Sequence, residues 1–251
     1  MQIYYYILGF MALIILTFAF FKRVGFLKRI ALDLQLGGII YGGIIAVYSL
    51  LIAFVVVIVW QQYQVTGDRI ESEASKLLNI YRSSYVFKDS SGVLIRKEVL
   101  NYVASVENDE WPALEKDSLS TKTQKIYNKI WHDIYLVKPY TEEEKIWYAS
   151  MVQNLNQFGE ARHLRLSDRD SSIPLIMWQI LWAGAFLIIL FSILLDSDNY
   201  VNHLLKVIML SLMIVFSLSL IYLLDHPFKG TLKMEPKAFD NIYVLDKMDF
   251  K

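Results

Sequence analysis

The chain has 251 residues, of which 55% are hydrophobic, 14% aromatic and 20% charged, so it reads as an integral membrane protein whose charges are segregated from its apolar segments rather than as an ordinary soluble domain. Lys plus Arg number 25 and Asp plus Glu number 25, and this balance gives no reason to expect nucleic acid as a partner. Cysteine is absent, which excludes disulfides, thiolate metal sites and cysteine nucleophiles.

From Ile3 to Phe21 there is no charge. About 20 apolar residues cross the ~30 Å hydrocarbon layer as a helix, because each residue rises ~1.5 Å. A cleaved signal peptide needs a basic start and a small-residue cleavage site. Here the start is Met1-Gln2-Ile3-Tyr4, and the apolar run leaves through Phe20-Phe21-Lys22-Arg23. A retained first span is therefore predicted. Gly37 to Trp60 is a second uncharged run, glycine-rich at its start and β-branched from Val55 to Val59.

Between Gln61 and Ser172 charges occur throughout, and only short apolar stripes remain. Three or four amphipathic helices are predicted. The first continues from the second span to about Phe87 and ends at the loop Asp89-Ser90-Ser91-Gly92. The second carries Val99, Val103 and Val106 and stops near Trp111-Pro112. The third carries Ile126, Ile130 and Ile134. The fourth begins with a capping box, Thr141 as N-cap and Glu144 three residues on, and aligns Trp147, Met151, Leu155 and Phe158 on one face.

Ile173 to Leu195 is a third apolar run that opens at Pro174, a suitable first-turn residue. Leu204 to Leu224 is a fourth, with Lys206 near its start, where the side chain can snorkel. The short linker from Asp196 to Tyr200 makes these two spans an antiparallel hairpin. The predicted organisation is thus a first transmembrane pair over 1–60, a helical soluble domain over 61–172, a second transmembrane hairpin over 173–224 and a C-terminal tail over 225–251. The fold class is an all-α membrane protein with four transmembrane helices in two pairs and an inserted helical soluble domain.

Orientation is divided on charge alone. Lys22, Arg23, Lys28 and Arg29 favour a cytoplasmic first loop and so the reverse orientation, whereas Arg69, Lys76, Arg162, Arg165, Arg169, Lys229, Lys233 and Lys237 favour a cytoplasmic domain.

Catalytic signatures are missing: there is no GxSxG, P-loop, HExxH or GxGxxG. His132, His163, His203 and His226 occur singly, never at i, i+4, so no metal site and no cofactor are predicted. Glu142-Glu143-Glu144 reads as a helix start. No ionisable group lies at mid-membrane depth, which excludes a buried charge relay of the kind carriers use. An enzyme is not expected. A channel asks for less, since a ring of identical helices can enclose a pore gated by an apolar constriction. Gly42, Ala46, Leu50 and Phe54 fall at successive i+4 steps along the second span and would suit that lining. The competing reading is that the glycines pack helix against helix.

Three stretches carry a resemblance. They are Ala53 to Tyr63, ending Trp60-Gln61-Gln62-Tyr63 and followed by Arg69 and Glu71-Ser72-Glu73-Ala74; Glu110-Trp111-Pro112; and Leu224-Asp225-His226-Pro227-Phe228-Lys229-Gly230. In order and spacing they resemble the bacterial bestrophin-like family over nearly the whole chain, with Trp60, Tyr63, Glu73, Trp111, Pro112, Asp225, Pro227, Phe228 and Gly230 as the matching positions. The resemblance implies a pentameric ion channel with four spans per subunit and a helical cytosolic region between the second and third. Aligned on Tyr63, the bestrophin neck positions fall at Gly42, Ala46 and Leu50. Bestrophin necks carry bulky apolar residues there, whereas two of these three are small, which moves the expected gate to Leu50 and Phe54. The acidic calcium-binding run of bestrophins is missing, with Lys229 and Lys233 near its place, so no calcium site is expected.

The expected partners are the lipid bilayer, further copies of the chain and small ions. The expected location is a bacterial inner membrane, with the soluble domain and termini in the cytoplasm. The alternative is a non-conducting scaffold or sensor whose soluble helices bind a partner protein.

Overall fold

A computed structural model of the chain describes residues 12, 16–17, 19–20, 34–170, 172–195 and 200–248. The predicted first span, 3–21, lies mostly outside these residues, although Ala12, Leu16, Thr17, Ala19 and Phe20 are described and helical. Most of the first loop and the linker residues 196–199 also lie outside them.

Among the described residues every regular element is helical. In chain order these are α1 (Leu34–Ser83), α2 (Ser90–Ser105), α3 (Trp111–Leu114), α4 (Thr121–Tyr135), α5 (Glu142–Ser167), α6 (Leu175–Leu194), α7 (Tyr200–Asp225) and α8 (Asp240–Lys247). A π turn, Val106–Glu110, joins α2 to α3. Two compact units emerge, one from 1–60 with 173–225, the other from 61–172 with 226–251.

In the first unit, α1, α6 and α7 are each long and apolar enough to cross a membrane. α6 and α7 are antiparallel: Trp178 at the start of α6 meets Tyr222 near the end of α7 edge-on at 6.3 Å, and a ring nitrogen of His203 lies 3.0 Å from the Ser192 carbonyl at the other end. α1 joins them through Tyr48, whose hydroxyl donates to the Leu181 carbonyl at 2.8 Å, and through Tyr41, stacked on Phe191 at 5.4 Å. Gly184 makes that approach possible, since a Cβ there would lie 2.5 Å from the Tyr48 ring.

In the second unit, Leu77, Ile80, Ile95, Val99, Val103, Val106, Ile130, Ile134, Met151, Leu155 and Phe158 form one core. The segment expected to be a tail belongs to it as well: Phe228, Phe239, Ile242 and Leu245 are buried in the same cluster.

Three local expectations are corrected. Asp89-Ser90-Ser91-Gly92 is a helix start rather than a loop: Asp89 caps α2 by accepting the Ser91 N–H at 3.1 Å, and Gly92 is buried where a Cβ would strike the Ser84 and Phe87 carbonyls. Pro112 does not stop the helix. The π turn shifts the bonding so that the Trp111 N–H reaches the Val106 carbonyl, and Pro112 then sits in the first turn of α3, where a missing N–H costs little. Trp147, placed by its spacing with Met151, Leu155 and Phe158, is 42% exposed while those three are buried. The capping box is present in full: Glu144 N–H donates to Thr141 Oγ1, and Glu144 Oε2 accepts from the Thr141 N–H, both at 3.1 Å.

Candidate functional site

The two sides of α1 in the first unit differ. Tyr48, Val55 and Val59 are buried, while Gly42, Ala46, Leu50 and Phe54 are all exposed. At ~100° per residue, Ala46 and Leu50, each two residues from Tyr48, point away from the side Tyr48 packs. Leu50 is 59% and Phe54 61% exposed. A Cβ at Gly38, Gly42 or Gly43 would meet open space. These glycines therefore serve no close helix packing among the described residues, whereas Gly184 does.

The family-motif positions of the second unit converge. Glu73, Trp111 and Phe228 are buried, and Trp111 meets Phe228 edge-on at 5.8 Å. Trp111 Nε1 donates to the Met234 carbonyl at 2.9 Å. Tyr63 donates to the Leu232 carbonyl at 2.8 Å, and the Pro227 carbonyl accepts the Met234 N–H at 2.8 Å. Gly230 takes φ 75°, a conformation that glycine adopts without penalty. Pro112 sets the start of α3. In the first unit, Asp225 accepts the Ile173 N–H at 3.1 Å, tying the start of the second hairpin to its end, and Trp60 is 50% exposed.

Around Glu73 lies a network that the spacing of charges did not disclose. Arg165 Nε donates to Glu73 at 2.5 Å, and its Nη2 donates to Glu110 at 2.6 Å. Arg162 holds Glu110 by a two-pronged pair at 2.7 Å on each prong. Tyr102 donates to Glu73 at 2.6 Å and accepts from Arg162 at 2.7 Å. The Arg165 guanidinium lies 4.8 Å from the Trp111 ring centre, within cation–π range. Two carboxylates face two guanidiniums, so the cluster is neutral. Burial alone would push the Glu110 carboxyl up, but Arg165 and Arg162 outweigh it and hold the group below the usual glutamate range. The Tyr102 phenol is driven well above its ordinary value by burial and by the Glu73 charge.

This arrangement joins α1, α2, the π turn and α5. It ties these four segments together in one register. Just past the C-terminal end of α5, one turn beyond Arg165, Asp168 accepts from Thr66 at 2.9 Å and Gln62 at 3.3 Å and pairs with Arg69. Lys229 and Lys233, flagged in the sequence near the place of a calcium run, pair instead with Asp117 and Glu115. Among the described residues no three His, Asp or Glu side chains converge as a metal-binding set.

The Bestrophin-like domain family matches residues 8–239. In structure the chain is similar to a mutated form of a bacterial bestrophin homologue from Klebsiella pneumoniae, with TM-score 0.74, 12% identity and 100% of each chain covered. A second crystal structure of the Klebsiella pneumoniae homologue gives TM-score 0.74, 13% identity and 98% of each chain. A further membrane protein gives TM-score 0.70 and 14% identity, covering 100% of this chain and 99% of its own. No curated protein matches the chain in sequence. The family match spans nearly the whole chain: the chain belongs to the bestrophin-like family.

Proposed function

We propose that this chain is one subunit of an oligomeric ion channel, a pentamer as in bestrophins, whose pore is lined by Gly42, Ala46, Leu50 and Phe54. The observation that carries this reading is the division of α1: the face opposite Gly42 to Phe54 packs on α6 through Tyr48, and the Gly42 to Phe54 face is left exposed. A subunit built this way can offer that face to an axis shared with its copies. Leu50 and Phe54 supply the bulk for an apolar constriction that closes by dewetting. Conduction is passive and needs no cofactor, metal or chemical step. The ions pass through an uncharged lining, so their sign is set elsewhere.

The proposed orientation puts the helical unit in the cytoplasm of a bacterial cell. The absence of cysteine makes this simple to test. Lys125→Cys, at an exposed position, should react with an impermeant maleimide only after the cells are opened.

The functional test is particle mass in detergent together with planar-bilayer recording. Several copies per particle and a steady conductance are expected, with a larger leak in Leu50→Ala and Phe54→Ala. A monomer that conducts nothing overturns the reading and leaves a scaffold or sensor.

A further inference from the structure

We propose that Asp133, beside Glu98, is a proton-binding site that makes the joint between α2 and α4 more stable in mild acid than at neutral pH. The proposal concerns the soluble unit by itself and stands apart from conduction.

α2 and α4 pack along one another and bring Glu98 and Asp133 together. Both are nearly closed off from solvent, Glu98 at 3% exposure and Asp133 at 7%. Their surroundings differ. Glu98 accepts from Lys129 at 2.6 Å and from Asn101 at 3.3 Å. Asp133 Oδ2 is buried and has no hydrogen-bond donor. A carboxylate in that position is costly when ionised, because burial removes its water and nothing replaces it.

The charged groups that act on Asp133 are Lys129 and His132 on its own helix and Glu98 on α2. Lys129 is half exposed, at 51%, and is already engaged by Glu98. One lysine thus faces two carboxylates. No third carboxylate or histidine completes a metal set here. A proton is the ligand that fits, since it removes the surplus charge and needs no further donor. In accord with this, burial raises the Asp133 carboxyl from its ordinary value; Lys129 opposes the shift, Glu98 adds to it and His132 opposes it. The folded state then binds a proton that the unfolded chain has already released. The stabilisation is complete below the unfolded aspartate value and is lost as pH rises through the raised one.

The test is thermal unfolding of the full chain in detergent across a pH series, for the wild type, Asp133→Asn and Lys129→Met. Asparagine stands in for the protonated acid. Asp133→Asn should match the wild type in mild acid and exceed it at neutral pH by a Tm shift of about 2–4 °C, with the wild-type step between the two pH regimes gone. Lys129→Met should move that step to higher pH. In infrared spectra, a protonated-carboxyl band present in the wild type in mild acid should be missing from Asp133→Asn. An unchanged pH step in Asp133→Asn, a variant less stable than wild type at neutral pH, or the same carboxyl band in both proteins overturns the proposal.

Discussion

Arg165 and Glu73 stand 92 positions apart in the chain and meet in the core, with both side chains 0% exposed. Their bond is one edge of a network in which Glu110 is shared by Arg165 and Arg162. Removing one member strands the others without water. Loss of one partner of a buried pair typically costs about 3–5 kcal/mol, more than the intact pair contributes over an apolar pair. Arg165→Met should therefore lower the Tm of the full chain by roughly 2–4 °C for each kcal/mol lost. The triple variant Arg165→Met, Glu73→Leu, Glu110→Leu should recover part of that loss, because no charge is then left unpaired. A single variant as stable as wild type would refute the network's role.

Acid should act on the same cluster from the other side. The folded Glu110 carboxyl lies below its ordinary value, held there against burial by Arg165 and Arg162. Its contribution is present above the unfolded glutamate value and is lost as pH falls through the depressed one. Glu110→Gln should be less stable than wild type at neutral pH and should approach it in acid. Parallel stability curves for the two proteins across that range would contradict the assignment.

These residues show where the sequence was legible and where it was not. Apolar spans and capping boxes are local signals, so α1, α6, α7 and the start of α5 follow from spacing. The arginines of α5 also stood in view. Met151, Leu155, Phe158, Arg162, Arg165 and Asp168 follow one another by threes and fours, so the charged residues continue the buried face. Read by charge alone, Arg162 and Arg165 looked like membrane-proximal basic residues. Only the matching carboxylates on α1 and the π turn, distant in sequence, make them core residues. Trp147 is the opposite case: its spacing fits the stripe, but in the first turns of α5 it is the next residue, Tyr148, that packs against the core. In the C-terminal segment Phe239, Ile242 and Leu245 recur at three-residue steps, but over so short a helix that the stripe does not stand out from the sequence around it.

Trp111 joins the motif stretches by its indole N–H to the Met234 carbonyl and by its edge-on contacts with Phe228 and Phe239. Trp111→Phe keeps a ring but loses the donor and leaves a part-buried carbonyl unmatched. A cost of about 1–3 kcal/mol is expected. Limited proteolysis should show the difference as faster cleavage after residue 225. Equal cleavage rates would mean that the apolar contacts alone hold the segment.

Gly184 and Tyr48 define the packed side of α1. Tyr48→Phe removes a single hydrogen bond to the Leu181 carbonyl, with an expected cost of about 0.6–2 kcal/mol in a membrane setting. Gly184→Ala should cost more, since its Cβ would sit 2.5 Å from the Tyr48 ring and would wedge α6 away from α1. Gly184→Ala combined with Tyr48→Ala should restore much of the loss by opening space. A Gly184→Ala chain as heat-stable as wild type would show that the two helices separate without penalty.

The two faces of α1 can be set against each other in one experiment. Ala46 is exposed, and Ala46→Trp adds bulk to the proposed lining without touching the packed side. Val55 is 2% exposed, and Val55→Trp forces an oversized ring into a filled site, at a typical cost of about 1–3 kcal/mol or more. If the exposed face lines the pore, Ala46→Trp should assemble normally, melt like the wild type and conduct far less. Val55→Trp should lose stability first and conductance only as a consequence. Normal current through Ala46→Trp would mean that this face looks onto lipid, and the pore would then have to be sought on another helix.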